Sequence, residues 1–277
     1  MPKLRVLAAI ALLLALQGCH SLKQGPVAAL DPFVLGDPGP CGQYLSLGHY
    51  LKSCYDCPNK VPRWIAYHVD RQSLEAGRNR RNLKPAGDFL PCQPSQLDFD
   101  DPAYEKGHMA AWALMRGREI SAEEATTFLN GFAQWDKGFH RERWSALEEC
   151  EKAWVEARGE VWVWVVLTGE RERIGKDHRM RVPARVYKVL YANKPEPTAL
   201  AFKFENGPDN PGSTFVDCST TVNVVEQETG LHFFGFLGET KQARVKAGQA
   251  VWNVECEGYG KACKLCGLVT VGSHESK

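Results

Sequence analysis

The chain has almost no excess of either charge. Its 277 residues carry 34 Lys and Arg against 33 Asp and Glu, a formal net charge of +1. That balance excludes a protein that coats nucleic acid through bulk composition, so any phosphate-binding surface must be a local cluster. The chain also lacks an apolar run that would span a bilayer. The run Val6 to Leu16, preceded by Lys3 and Arg5, falls well short of the roughly 20 residues a membrane helix needs. There is no internal repeat and no long low-complexity tract, which excludes solenoids and extended disordered chains.

What is present suits a folded, exported protein. Hydrophobic residues make up 44% and charged residues 24%, the balance of a globular domain. The length allows one large domain or two small ones. The N-terminal basic and apolar segments read as a signal peptide over residues 1–18. Leu16-Gln17-Gly18-Cys19 resembles a bacterial lipobox. That resemblance implies cleavage before Cys19, a lipid on its sulfur, and a lipoprotein of the cell envelope, periplasm-facing or at the surface, with the outer membrane expected.

Ten cysteines are many for a cytosolic enzyme and ordinary for an exported one. With Cys19 lipidated an odd number remains, so at least one stays unpaired within the chain. Two C-x-x-C units, Cys54 to Cys57 and Cys263 to Cys266, have the spacing of a four-thiolate zinc site. The export signal favours disulfides, whose pairing the sequence leaves open. Residues 19–60, rich in Gly and Pro, read as a tether and a cysteine-containing N-terminal segment, and residues 61–272 as the folded domain.

Alternating and continuous apolar runs predict strands at Trp64–Val69, Val161–Leu167, Arg185–Tyr191 and Ala199–Phe204. Residues 71–103 read as irregular, with a basic cluster at Arg78, Arg80, Arg81 and Lys84. Ser121-Ala122-Glu123-Glu124 has the pattern of a capping box and predicts a helix from Ala122 to about Leu129. A second helix is expected from about His140 to Arg158, ended by Gly159, with His140, Trp144, Leu147 and Glu148 on one face. A short helix is expected over Val222–Glu228. Strands and helices in this irregular order argue for an α+β fold with a central mixed or antiparallel sheet flanked by helices.

The stretch from Tyr104 to Glu148 concentrates the chemistry. Phosphodiester hydrolysis needs a base for water, a cation for developing charge, and help for the leaving oxygen. His108 suits the first task because its proton comes off near neutral pH. Gly107 permits a tight backbone beside it, and Lys106, two residues away in an extended segment, is expected on the same face. His140 is a metal-ligand candidate, and Glu148 lies two helical turns on.

These residues carry a resemblance to the DNA/RNA non-specific endonucleases of the ββα-metal superfamily. Glu105-Lys106-Gly107-His108 is similar to that family's Asp-Arg-Gly-His signature, and Asn130 with Gln134 to its Asn…Pro-Gln segment. Trp144-Ser145-Ala146-Leu147-Glu148 is similar to its Trp-x-x-Leu-Glu helix. Arg63–Tyr67, Val182–Val189 and Glu228–Phe234 extend the match to roughly residues 61–237. The resemblance implies a ββα-metal endonuclease domain that hydrolyses DNA and RNA and leaves 5′-phosphate ends. In it His108 is general base, Lys106 stabilises the phosphate, Glu148 orients water, Asn130 supports the site, and His140 binds one divalent metal. Arg141 and Arg143 are the expected substrate-binding cations. No protein partner is expected; nucleic acid is the substrate and the lipid on Cys19 the membrane contact.

Two positions depart from the family pattern. His140 stands where the family has a metal-binding asparagine, one residue farther from Gln134 than usual, and Lys106 stands for arginine. Magnesium or manganese is the metal the resemblance implies; imidazole favours a transition metal. Related His-Asn-His nucleases do place a histidine on this helix. Lysine keeps the charge and loses the bidentate fork on phosphate. The alternative reading is a weak or inactive nuclease fold that binds nucleic acid or a partner at the envelope.

Overall fold

The computed structural model describes residues 38–39, 41, 45–47, 50–75, 77, 82–85 and 92–248. The segment expected to be a signal peptide, Cys19, Arg78, Arg80, Arg81 and the Cys263–Cys266 unit lie outside the described residues.

In chain order the elements are β1 (Leu45–Leu47), β2 (Leu51–Asp56), β3 (Val61–Asp70), α1 (Arg71–Leu74), a 3-10 turn (Gln96–Phe99), β4 (Tyr104–His108), α2 (Trp112–Met115), α3 (Glu119–Ala125) and β5 (Gly131–Trp135). After them come a helical turn within Asp136–Trp144, α4 (Ser145–Arg158), β6 (Glu160–Thr168), β7 (Glu172–Ile174), β8 (Met180–Val182), β9 (Arg185–Ala192), β10 (Thr198–Glu205), β11 (Ser219–Thr220), α5 (Val222–Thr229) and α6 (Glu239–Lys246). Seven strands form one sheet in the order β1-β2-β3-β6-β9-β10-β11, and each pair in it is antiparallel. The expected α+β class holds, and the sheet is antiparallel rather than mixed.

The four predicted strands form the middle of this sheet because both of their faces are apolar. On β6, Val161, Val163, Val165 and Leu167 join the core under α4, where Leu147, Cys150 and Trp154 pack. The alternate residues Trp162, Trp164 and Val166 join a second core with Val222 and Val225 of α5 and with Phe233 and Phe234. Period-two alternation thus feeds two cores at once. The tyrosine-lysine strand β9 sends Lys188 to the α4 side, where its ammonium pairs with Glu151 and lies 4.2 Å from the centre of the Trp144 ring. Both members of that ion pair are buried.

Three local expectations change. β1 and β2 fall in the stretch read as tether, yet β2 pairs with β3, Cys54 opposite Trp64, and β1 pairs with β2. α3 starts at Glu119 with Arg118 as its N-cap, so Ser121 is inside the helix and not its cap. The residues expected to be irregular contain α1, capped by Asp70 through Ser73. Disulfides Cys41–Cys54 and Cys57–Cys92 place the thiols of the first C-x-x-C unit in two different bridges, which excludes a four-thiolate site there. Cys150 is also disulfide-bonded, and Cys218 is a free, buried cysteine.

Candidate active site

β4 and β5 form a separate two-stranded antiparallel ribbon, with His108 opposite Gly131 and Glu105 opposite Gln134. The chain then turns through Gly138, whose φ is +78°, into a helix. Two strands and a helix therefore carry the site. The helix does not begin with regular winding: the Ser145 N–H reaches the His140 carbonyl, five residues back, and the Ser145 hydroxyl donates to the same oxygen at 2.9 Å.

His108 is held from behind. The Gln134 amide donates to the His108 carbonyl at 3.2 Å and packs over Gly107, where a Cβ would collide with it. Gly107 is thus required by Gln134, whose amide fills the space a side chain there would take. Asn130 is fully buried. Its Oδ1 accepts from the Ala110 N–H at 2.8 Å, and its Nδ2 donates to the carbonyls of Ala110 and Ala125, each at 2.9 Å. The Asn130 carbonyl takes the Met109 N–H at 2.8 Å. Asn130 clamps the turn that follows His108; it positions and does not face the cavity.

A cavity of about 310 Å³ lies between ribbon and helix, lined by His108, Ala111, Trp112, Ala113, His140, Ser145, Glu148 and Glu149. It brings together the three residues that sequence reasoning placed at the chemical centre, His108, His140 and Glu148. Ser145, Glu149 and Trp112 are additions that no motif marks.

The other expected residues lie elsewhere. Lys106 is not among the lining residues. Its ammonium bonds to the Gln96 side chain and lies 5.9 Å from the ring centres of Phe99 and Phe128; burial lowers its pKa. Strict alternation puts residues 106 and 108 on one face, but a two-stranded ribbon twists strongly and His108 is its last residue. Arg143 is buried, donating to the Gly138 carbonyl and, at 2.5 Å, to the Gly212 carbonyl. It ties two loops together and presents no open face to substrate. Arg141 is 64% exposed and ion-paired with both Glu105 and Asp136.

That last cluster was not foreseen. Glu105, Asp136 and His140 offer ligand atoms that all lie within 4.8 Å of one another, and His140 Nδ1 is 3.5 Å from Glu105 Oε2. One imidazole nitrogen and two carboxylates form a donor set that fits a divalent cation. Asp136 and His140 stand on either side of the turn at Gly138, so no helical period announces their meeting, and the approach of Glu105 depends on the ribbon.

A family model for DNA/RNA non-specific endonucleases matches residues 32–237. The nuclease of Serratia marcescens is 23% identical over 257 residues, covering 88% of this chain and 93% of that protein. The mitochondrial nuclease EXOG of Danio rerio is 28% identical over 204 residues, covering 66% of this chain but 58% of its own length, so the chain spans little more than half of that relative. A crystal structure of the EndoG/EndoGI complex gives a TM-score of 0.63 at 23% identity, covering 74% of this chain and 91% of the matched chain. At that identity the likeness establishes the shared fold.

Proposed function

The chain belongs to the DNA/RNA non-specific endonuclease family and is an endonuclease; from that premise we propose that His108 is its general base, working with a divalent cation bound at His140, on the edge of the cavity between ribbon and helix. The observation that carries this reading is the convergence of His108, His140 and Glu148 on one cavity.

His108 takes a proton from a water molecule as its oxygen attacks phosphorus. The imidazole stays fixed because Gln134 and Asn130 restrain the backbone on either side of it, so little reorganisation is needed as charge moves. Glu148 accepts a hydrogen bond from water in the cavity and orients it. His140, with Glu105 and Asp136 beside it, would hold the cation. A bound dication supplies Lewis-acid stabilisation for charge on the phosphate and the leaving 3′ oxygen. Arg141, exposed at the mouth of this cluster, contributes positive charge toward the phosphate backbone. Lys106, away from the cavity lining, acts on the phosphate at most from a distance.

Export rests on the sequence alone. The basic and apolar N-terminal run and Leu16-Gln17-Gly18-Cys19 support a lipid-anchored enzyme at the cell envelope, with the outer membrane its expected location. Cys19→Ser, expressed in a Gram-negative bacterial host, should shift the protein from the membrane to the soluble fraction; unchanged membrane association removes the anchor from this reading.

Catalysis is tested on purified protein with supercoiled plasmid and with RNA. Cleavage should require a divalent metal, stop in EDTA, and fall by roughly 10²- to 10⁴-fold in His108→Ala, the range that general-base catalysis supplies. Undiminished cleavage in His108→Ala refutes the assigned base. A folded protein inert with magnesium, manganese, zinc, cobalt and nickel is instead a nuclease fold that binds nucleic acid or a partner at the envelope.

A further inference from the structure

We propose that Glu105, Asp136 and His140 form a three-ligand site selective for a first-row transition-metal dication, and that Arg141 is the resident cation which the metal displaces. The inference rests on the nuclease reading above for its location and extends it in two ways: it names the class of metal and assigns Arg141 a place in the cycle.

The donor set argues for the metal class. Magnesium demands oxygen ligands and keeps much of its water. An imidazole nitrogen beside two carboxylates suits manganese, cobalt, nickel or zinc, the last of which takes three protein ligands and an open position in reactive sites. His140 is the shared member: it belongs both to this cluster and to the lining of the cavity that holds His108. The cluster and the cavity that holds the proposed base therefore meet at His140.

Arg141 argues for displacement. Its Nη2 lies 2.5 Å from Glu105 Oε1 and its Nε bonds Asp136, so one guanidinium bridges the two carboxylates that would otherwise repel each other. Two carboxylates and one guanidinium still leave one net negative charge. A dication in its place neutralises the group. Exposed arginine pairs hold weakly, since solvent screens them and the long side chain gives up freedom to stay, and Arg141 is 64% exposed against 40% for Glu105 and 22% for Asp136. Metal entry then releases the guanidinium at the rim of the cavity, where its planar fork matches a phosphate. Metal binding and substrate binding become coupled through one side chain.

The test measures binding directly. Tag-free protein is titrated calorimetrically with Co²⁺, Mn²⁺ and Mg²⁺, with the Co²⁺ visible absorption bands recorded in parallel. The wild type should bind one Co²⁺ more tightly than Mg²⁺. Glu105→Gln, Asp136→Asn and His140→Ala should each weaken Co²⁺ by at least about ten- to a hundredfold, the range for residues that shape a metal site. His140→Asn should lose the preference for Co²⁺ over Mg²⁺, and Arg141→Gln should bind Co²⁺ at least as tightly as the wild type. Co²⁺ affinity unmoved by both Glu105→Gln and Asp136→Asn overturns the site, and weaker binding in Arg141→Gln overturns the displacement. The amide variants keep shape at partly exposed positions, and circular dichroism confirms that they fold. His108→Ala separates the two readings: one Co²⁺ bound with cleavage lost supports both. Cleavage by the wild type in Mg²⁺ with Co²⁺ indifferent to the carboxylates sinks this proposal alone, and Co²⁺ held by the triad in a protein that cleaves with no metal sinks the nuclease reading alone.

Discussion

The buried pair between α4 and the sheet makes the sharpest stability prediction. Lys188 and Glu151 are both buried; Glu151 also accepts from the Tyr67 hydroxyl at 3.2 Å, and Lys188 sits 4.2 Å from the Trp144 ring centre. Lys188→Met keeps most of the stem and removes the charge. It leaves a carboxylate in the core with one hydroxyl for company. Breaking a buried pair in this way costs about 3–5 kcal/mol, which at roughly 2–4 °C per kcal/mol for a domain of this size lowers the melting temperature by roughly 6–20 °C.

The pH dependence of that loss has a definite sign. Burial raises the Glu151 pKa, with Lys188 and the Tyr67 bond pulling the other way. An acid with a raised folded pKa binds more protons folded than unfolded, so its ionisation removes stability as pH rises from the unfolded value through the folded one. Without Lys188 that rise is larger. The gap between Lys188→Met and wild type should therefore shrink as the pH falls toward the ordinary glutamate range. The double variant Lys188→Met with Glu151→Leu removes both charges and should recover about 2 kcal/mol or more, short of full recovery because the Tyr67 hydroxyl loses its acceptor. Urea denaturation with the disulfides intact reads all three. A loss below about 1 kcal/mol in the single variant, or a double variant no more stable than it, refutes the reasoning.

Gly107→Ala drives a methyl into the Gln134 amide and should cost roughly 1–3 kcal/mol while lowering cleavage, since the same amide holds the His108 carbonyl; unchanged melting and turnover would refute that role for Gln134. Asn130→Ala orphans the Ala110 N–H and the Ala110 and Ala125 carbonyls, so a loss of about 3 kcal/mol or more is expected in urea, with a smaller effect pointing to water taking the vacated place. Burial pushes the Asp98 carboxyl up, but the Lys60 ammonium at 2.8 Å and the Ser95 N–H and hydroxyl outweigh it and hold the pKa low. Its contribution is thus present above the unfolded aspartate value of about 3.9 and lost as the pH falls through the depressed one. The stability difference between wild type and Asp98→Asn should vanish below that window, and a constant difference down to pH 2 would show that the charge is not the source.

The elements that repeat a pattern were legible. β3, β6, β9 and β10 announce themselves because a strand buried on both faces is apolar throughout, and Gly159, with φ of +87°, ends α4 where a left-handed residue is needed. His108, His140 and Glu148 were legible through the motif they sit in. What sequence could not supply was contact between distant segments. Arg143 reads as a surface cation because nothing local shows that the Gly212 carbonyl, 69 residues on, will accept its hydrogen bond. Glu105 meets His140 and Asp136 only because β4 and β5 pair in one register. β1 and β2 sit in a Gly- and Pro-rich stretch whose composition says tether; their strand character comes from the pairing of β2 with β3, of β1 with β2, and from the Cys41–Cys54 bridge.

The start of the helix that runs into α4 shows how one local irregularity decides which side chains face the cavity. Regular helical spacing groups residues four and eight apart on one face, which would align His140, Trp144 and Glu148. The structure separates them: Trp144 is buried among Phe132, Phe139 and Phe204, while His140 and Glu148 line the cavity. The cavity face of α4 is Ser145, Glu148 and Glu149. Continued backward at a step of four, it reaches Arg141, a permanent cation that cannot ligate metal. The five-residue turn from Ser145 to the His140 carbonyl shifts the count by one and delivers His140 instead. Wide turns of this kind recur at functional sites, and here the reason is concrete: the extra residue exchanges a guanidinium for an imidazole at the cavity and leaves Arg141 outside, against the carboxylates of Glu105 and Asp136.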